Sequence, residues 1–220
     1  MLIALTQRLC NLPQRAELRD CVDQAWTTFL QKCSIDFFLV PNALADPVSY
    51  VDKFNASGLI LTGGGDVSGN ILTLDGAPAN CPDTNSSSVT RDRTETRLLC
   101  ASIERDWPVL GVCRGMQVLN LFHGGSLVPV DGHTATHHPL THHPDQALYQ
   151  FPDVVNSYHN FSVDLDTLGV GLIPAVFSGQ YVEAFVHNHY RHLGVMWHPE
   201  RNTPYDQQDV KLFREFFGVF

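Results

Sequence analysis

The sequence predicts an α/β fold with a mostly parallel central sheet flanked by helices and a smaller antiparallel portion in its second half. Three observations carry that expectation. Through residue 124, short apolar runs alternate with stretches of helical periodicity, the pattern of strands and crossover helices that cover both faces of a parallel sheet. Beyond it, apolar runs follow one another with short connections, which suits antiparallel neighbours. The chain of 220 residues is 44% apolar, enough for a sizeable core. Neither a repeat nor a linker divides it, so one domain over residues 1–220 is expected.

Each element has its own signal. "LIALT" (2–6) reads as a buried strand. Residues 15–32 carry Leu18, Val22, Trp26, Phe29 and Leu30 at helical spacing and read as one helix. "IDFFLVP" (35–41) is a second strand closed by proline. "DPVSYVDKF" (46–54) suits a short helix with Asp46 as cap and Pro47 in first position. "SGLILT" (57–62) is a third strand, followed at once by "GGGD". Residues 67–90 are rich in Gly, Pro, Asn and Ser and read as a long lid or substrate loop. A helix over 91–106, a strand "WPVLGVC" (107–113) and a helix "RGMQVLNLFHG" (114–124) follow. Strands are expected in "GGSLVPV", "VVNSYHNFSV", "GLIPAVF", "YVEAFVHN" and "HLGVMWH", and a closing helix over 206–220.

The totals exclude some functions. A net charge of −9 argues against a general nucleic-acid binder, although a small anionic substrate held by a few local arginines is compatible with it. No apolar run approaches the roughly 20 residues of a membrane span. "MLIALTQR" shows no secretory pattern, so a cytoplasmic protein without membrane contact is expected. The six cysteines form no CxxC pair and no zinc spacing. Reduced thiols are expected, five of them acting as small buried hydrophobes.

The sixth, Cys113, is different. It ends a strand, starts a helix and sits between Gly111 and Gly115. This is the form of a nucleophile elbow, in which glycines let the helix pack closely behind a strained turn and the side chain projects outward. A helix N-terminus favours the thiolate. The N–H of Arg114 is aimed at a developing oxyanion, and Gly64 of "LTGGGD" is the expected second donor, with Gly65 beside it. A thiolate needs a base and the base an orienter. In "HLGVMWHPE" an apolar strand ends in His198, and Glu200 lies two residues on, where strand alternation puts both side chains on one side. The expected triad is therefore Cys113, His198 and Glu200.

The glycine turn, the CRG elbow and the HPE segment together resemble the class I glutamine amidotransferase superfamily. The closer likeness is to its γ-glutamyl hydrolase branch, carried by Arg91, Asp92 and Glu95, by residues 110–127 and by Asn156, Ser157 and His159. Within that branch, "LTQR" (5–8), "NSYHNF" (156–161) and "EAFVHNHYRHLGVMWHPER" (183–201) look similar to γ-glutamyl-CDP-amidate hydrolases of capsule phosphoramidate synthesis. The resemblance implies a flavodoxin-like amidotransferase fold and hydrolysis of a γ-glutamyl amide through a γ-glutamyl thioester, without a cofactor. It implies that Gln117, Asn156, Ser157 and His159 line the glutamyl pocket with Gly65. Arg91 or Arg114 is a candidate for pairing with a substrate carboxylate or phosphate, and for Arg91 a structural pair with an acidic neighbour is the favoured alternative.

Other readings compete. "GHTATHHPLTHHP" (132–144) carries His133, His137, His138, His142 and His143. It lacks cysteines and regular ligand spacing, so a polar loop over the active site is expected and no metal. A γ-glutamyl-amine hydrolase is an alternative, as is a glutaminase subunit that feeds ammonia to a synthase partner. A binding protein on a decayed scaffold is opposed by the intact triad. The oligomeric state stays open.

Overall fold

The computed structural model describes residues 1–81, 88–143 and 148–219. Its elements in chain order are β1 (Leu2–Thr6), β2 (Arg8–Leu12), β3 (Glu17–Cys21), α1 (Gln24–Lys32), β4 (Asp36–Val40), α2 (Pro47–Lys53), β5 (Leu59–Leu61), α3 (Val89–Glu104), β6 (Val109–Val112) and α4 (Arg114–Phe122). They continue with β7 (Val128–Pro129), β8 (Thr134–Pro139), β9 (Thr141–His142), β10 (Val154–Tyr158), β11 (Phe161–Ser162), β12 (Leu172–Ser178), β13 (Tyr181–His187), β14 (His192–Val195) and α5 (Gln207–Phe217).

The main sheet has the order β4-β1-β5-β6-β14-β13-β12-β9. From β4 to β14 neighbours run parallel. From β14 to β9 they run antiparallel. The expected α/β class, with its antiparallel portion in the second half, is what the chain adopts. The central strands are short and wholly apolar, "LIL" in β5 and "VLGV" in β6, and every residue of both is buried. That is the composition of strands covered on both faces. One face packs against α1 and α5, where the Phe29 and Phe213 rings meet edge to face at 4.9 Å. The other packs against α2, α3 and α4 through Val51, Leu98, Leu119 and Phe122. Among the described residues no helix is long and apolar enough to cross a membrane.

Two expectations are corrected. The helix expected over 15–32 begins only at Gln24, where the Asp23 side chain accepts from the Ala25 N–H at 3.0 Å. Residues 8–21 instead form the β2–β3 hairpin. Leu18 and Val22 fit a helical period and a strand period equally well, and the burial decides: Leu18 is 55% exposed. Asp20 fastens the hairpin by accepting from the backbone and side chain of Asn42 at 2.9 and 2.7 Å. The histidine segment 132–144 is not a loop through most of its length, because β8 pairs antiparallel with β10 and β9 joins the main sheet. Its last residue, 144, lies outside the described residues, as do 82–87 of the segment expected as a lid. Elsewhere that segment folds back on itself, with Leu72 bridged to Pro78 and both Val67 and Ile71 buried.

Candidate active site

β5, β6 and β14 are adjacent and parallel, in register at Leu61, Gly111 and Gly194. Their carboxyl ends therefore lie side by side, where ligands collect in open α/β sheets. The turn that follows each strand supplies one part of the site.

After β6, Cys113 has φ 53° and ψ −109°. A non-glycine residue in such a region costs about 1–3 kcal/mol and persists only where its surroundings impose it. Here the helix behind it does so. A Cβ on Gly111 would stand 2.5 Å from the Gly115 carbonyl carbon, and one on Gly115 2.1 Å from the Leu61 oxygen. Both glycines are required for α4 to sit this close to the sheet. Arg114 is the first residue of α4, so its N–H has no partner within the helix.

After β5, Gly64 and Gly65 take φ values of +91° and +74°, which favour glycine. Arg91 braces this turn from behind. Its guanidinium donates to the carbonyls of Thr62, at 2.5 Å, and Gly64, at 2.7 Å, and reaches toward that of Gly63 at 3.4 Å. Because N–H and C=O point oppositely across a trans peptide, tying the Gly63 carbonyl to Arg91 turns the Gly64 N–H away from Arg91. Arg91 also binds Glu95 at 2.8 Å, and Arg114 reaches both Asp92 and Glu95. Burial and the neighbouring Arg114 bring Arg91 down to about 10. Burial works against the Glu95 charge, but Arg114 and Arg91 overcome it and hold the carboxyl below its usual range.

After β14, the His198 Nδ1–H donates to Glu200 Oε1 at 2.7 Å. The Cys113 side chain interacts with the same ring. Burial opposes an imidazolium here, yet Cys113 and Glu200 together push His198 up to about 9. Asn156 clamps the same residue: it accepts from the His198 N–H at 2.9 Å and donates to its carbonyl at 2.8 Å. A Cβ on Gly63 would stand 2.5 Å from the His198 ring, so the bare glycine makes room for the imidazole.

A cavity of about 200 Å³ opens on this junction. Of the residues singled out in the sequence, Gly64, Gly65, Cys113, Gln117, His159 and His198 line it. Glu200 lies behind His198 and is buried. Arg91, Asn156 and Ser157 do not line it. Arg91 holds the glycine turn, Asn156 holds His198, and Ser157 donates to the His133 carbonyl at 2.7 Å. Gln117 donates to the Phe161 carbonyl at 2.8 Å. The sequence reading missed Tyr158 and Arg201, which also line the cavity. The Arg201 guanidinium lies 4.7 Å from the centre of the Tyr158 ring. Both stood within noticed motifs, "NSYHNF" and "HPER", but only the fold brings them together. The pair also borders a second cavity of about 550 Å³, alongside Asn202 and Tyr205.

Comparison with known proteins gives the family and the fold. The chain is 27% identical to the γ-glutamyl-CDP-amidate hydrolase of Campylobacter jejuni over 228 residues, covering all of this chain and 98% of that one. It is 33% identical to the NtpR protein of Enterococcus hirae, covering 78% of this chain and 77% of the relative. A crystal structure of a glutamine amidotransferase from Thermotoga maritima superposes with a TM-score of 0.61 at 15% identity, over 99% of this chain and 82% of that one, and so shares the fold. The Peptidase C26 family matches residues 4–200, from β1 through the His198–Glu200 turn, and the chain belongs to that family.

Proposed function

We propose that this protein is a cysteine-dependent hydrolase of γ-glutamyl amides, with Cys113 as nucleophile, His198 as acid and base, and Glu200 as the carboxylate that orients the imidazole. The observation that carries this reading is convergence. An elbow cysteine, a histidine paired to a carboxylate at 2.7 Å and a glycine turn meet at one small cavity.

The Cys113 sulfur bonds to the γ-carbonyl carbon, and the carbonyl oxygen takes the displaced electron pair between the N–H groups of Arg114 and Gly64. When that oxyanion collapses, the C–N bond breaks and the leaving nitrogen takes the His198 proton. Water then gives a proton to His198 and attacks the thioester carbon. The sulfur leaves as thiolate and glutamate is free.

The leaving group is a nucleotide phosphoramidate in this reading. The larger cavity continues from the smaller past Tyr158 and Arg201. A guanidinium suits a phosphate and an aromatic ring suits a base. The C. jejuni relative carries γ-glutamyl-CDP-amidate in its name. Ammonia or a simple amine would leave the larger cavity empty.

Glutamate release from γ-glutamyl-CDP-amidate, from γ-glutamyl amines and from glutamine tests the reading. The nucleotide amide is expected to give the highest kcat/KM, and Cys113→Ala to lower it by at least about 1,000-fold. Activity surviving Cys113→Ala would remove the nucleophile, and a preference for glutamine would remove the leaving-group assignment.

A further inference from the structure

On the far side of the pocket wall, four side chains converge without bonding. His133 precedes β8, His138 lies in it, His159 follows β10, and Glu183 lies in β13 of the main sheet. Glu183 Oε1 stands 3.8 Å from His133 Nδ1, 3.6 Å from His138 Nε2 and 3.7 Å from His159 Nε2. These separations are too long for hydrogen bonds. All four atoms, and Glu183 Oε2 as well, are buried without a hydrogen-bond partner among the described residues. Glu183 and His159 are at least nine-tenths buried. A carboxylate left so deep with nothing to bind is costly, and three imidazoles aimed at it without contact leave that cost unmet.

We propose that these four residues form a site for one divalent transition-metal ion, zinc above all, that fastens the β8–β10 ribbon to the main sheet. Ligands at tetrahedral corners about 2.0–2.1 Å from zinc lie roughly 3.3–3.4 Å apart. The three carboxylate-to-imidazole separations of 3.6–3.8 Å would need only a slight contraction onto an ion, and the imidazole nitrogens would draw in from separations of up to 4.8 Å. All four ligand atoms lie within 4.8 Å of one another. Three imidazoles and a carboxylate suit zinc, cobalt or nickel rather than magnesium or calcium. His159 is already set in the ligating tautomer. Its Nδ1–H donates to the Phe161 carbonyl at 3.0 Å, which leaves Nε2 bare toward Glu183 and is the support a metal-bound histidine usually has. Four protein ligands and little solvent access mark a structural site, because a catalytic one keeps a position open.

The site matters to its neighbour through the ribbon. β10 carries Asn156, which clamps His198, and Tyr158, whose ring stands edge-on to the His198 imidazole at 5.8 Å. The backbone N–H of His159 donates to the His133 carbonyl at 3.0 Å. An ion at these four residues would therefore fix the wall of the candidate active site. His137 and His142 take no part: His137 borders the larger cavity, and His142 lies 3.4 Å from Asp153.

The test is zinc binding by the full chain after chelator treatment, read by calorimetry and by elemental analysis after desalting. One zinc per chain is expected. His138→Ala and Glu183→Gln should each weaken it by more than about 100-fold, since losing a ligand costs more than losing its outer support. Cys113→Ser should bind as the wild type does. Cobalt substitution gives an independent readout: the intense visible bands of tetrahedral Co²⁺ should appear in wild type and in Cys113→Ser. If both ligand variants misfold, that spectrum still decides, because a sulfur-to-cobalt band or a weak octahedral spectrum would place the ion elsewhere. No retained zinc in the wild type, undiminished binding in a folded ligand variant, or loss of binding in Cys113→Ser would each overturn the site.

Discussion

Behind the glycine turn, Arg91, Asp92, Glu95 and Arg114 form a buried knot in which each charge has a partner. Behind the β10 ribbon, His133, His138, His159 and Glu183 form a buried cluster in which the facing atoms have no hydrogen-bond partner among the described residues. The knot takes further bonds from its surroundings: Thr6 donates to Glu95 at 2.8 Å, and the Ser68 N–H donates to Asp92 at 2.8 Å. The difference teaches how a buried polar group comes to be tolerated. In the knot the protein itself supplies every counter-charge, so the ions are fixed and fix the turn they touch. In the cluster the protein supplies only donors of electron pairs, which the proposed ion would complete.

The largest expected effect breaks the knot. Glu95→Ala leaves two buried guanidiniums short of a partner, and breaking such a buried pair costs about 3–5 kcal/mol. Urea unfolding should show that loss, or the variant should fail to accumulate as folded protein. The matching change in the other cluster, Glu183→Gln in metal-free protein, removes a buried carboxylate that bonds to nothing and should leave stability unchanged or raised. A comparable loss in both variants would erase the contrast.

A smaller effect tests whether the polar groups near the site position or react. Asn156 touches His198 only through its backbone. Asn156→Ala should lower kcat about 10–100-fold, on the scale of losing the support behind a reacting group. With a γ-glutamyl amine as substrate KM should change little, because Asn156 borders the larger cavity and does not line the smaller one. A rise in KM with kcat intact would make Asn156 a substrate contact, as the sequence reading had it.

How much of this the residues reveal unaided depends on where the information lies. The strands and the elbow were legible because they are local: an apolar run, a glycine on each side of Cys113, a histidine ending a strand. Cys113, His198 and Glu200 could be singled out because the first ends one apolar strand, the second ends another and the third follows two residues on. The hairpin at 8–21 was not legible, since Leu18 and Val22 satisfy both periods and only the folded chain, where Leu18 stands exposed and Asp20 meets Asn42, 22 residues away, settles the matter. Arg91 was legible as one half of a structural pair with an acidic neighbour, which Glu95 supplies, but not as the brace of the glycine turn. Nothing local says that its guanidinium meets the carbonyls at 62–64 rather than a substrate. The histidine cluster was illegible for the same reason. Its fourth member, Glu183, lies more than 40 residues from His138, and three of the five histidines in the segment, His137, His142 and His143, lie elsewhere.

The smallest expected effect is on the pH profile, and it sharpens the contrast between groups held charged and groups held ready. The His198 ring faces the Cys113 sulfur and Glu200, with Arg201 lying 3.6 Å from Glu200 and the ring of His159 across the cavity. Burial works against its charge, but Cys113 and Glu200 prevail and raise it to about 9 from the ordinary 6.5. Below about 9 the imidazolium is present to protonate the leaving nitrogen, so kcat/KM should hold level toward alkaline pH and fall to half near 9. The sign for stability follows from the same direction. A histidine raised on folding contributes fully below about 6.5, and that contribution disappears as pH rises through about 9. Glu200→Gln removes one of the two groups that sustain the charge, so its alkaline limb should move to lower pH while the limb of Asn156→Ala stays in place. The two profiles, measured on one substrate, separate a carboxylate that acts on the imidazole's charge from an amide that acts only on its position. Identical limbs in both variants would show that Glu200 too does no more than hold the ring.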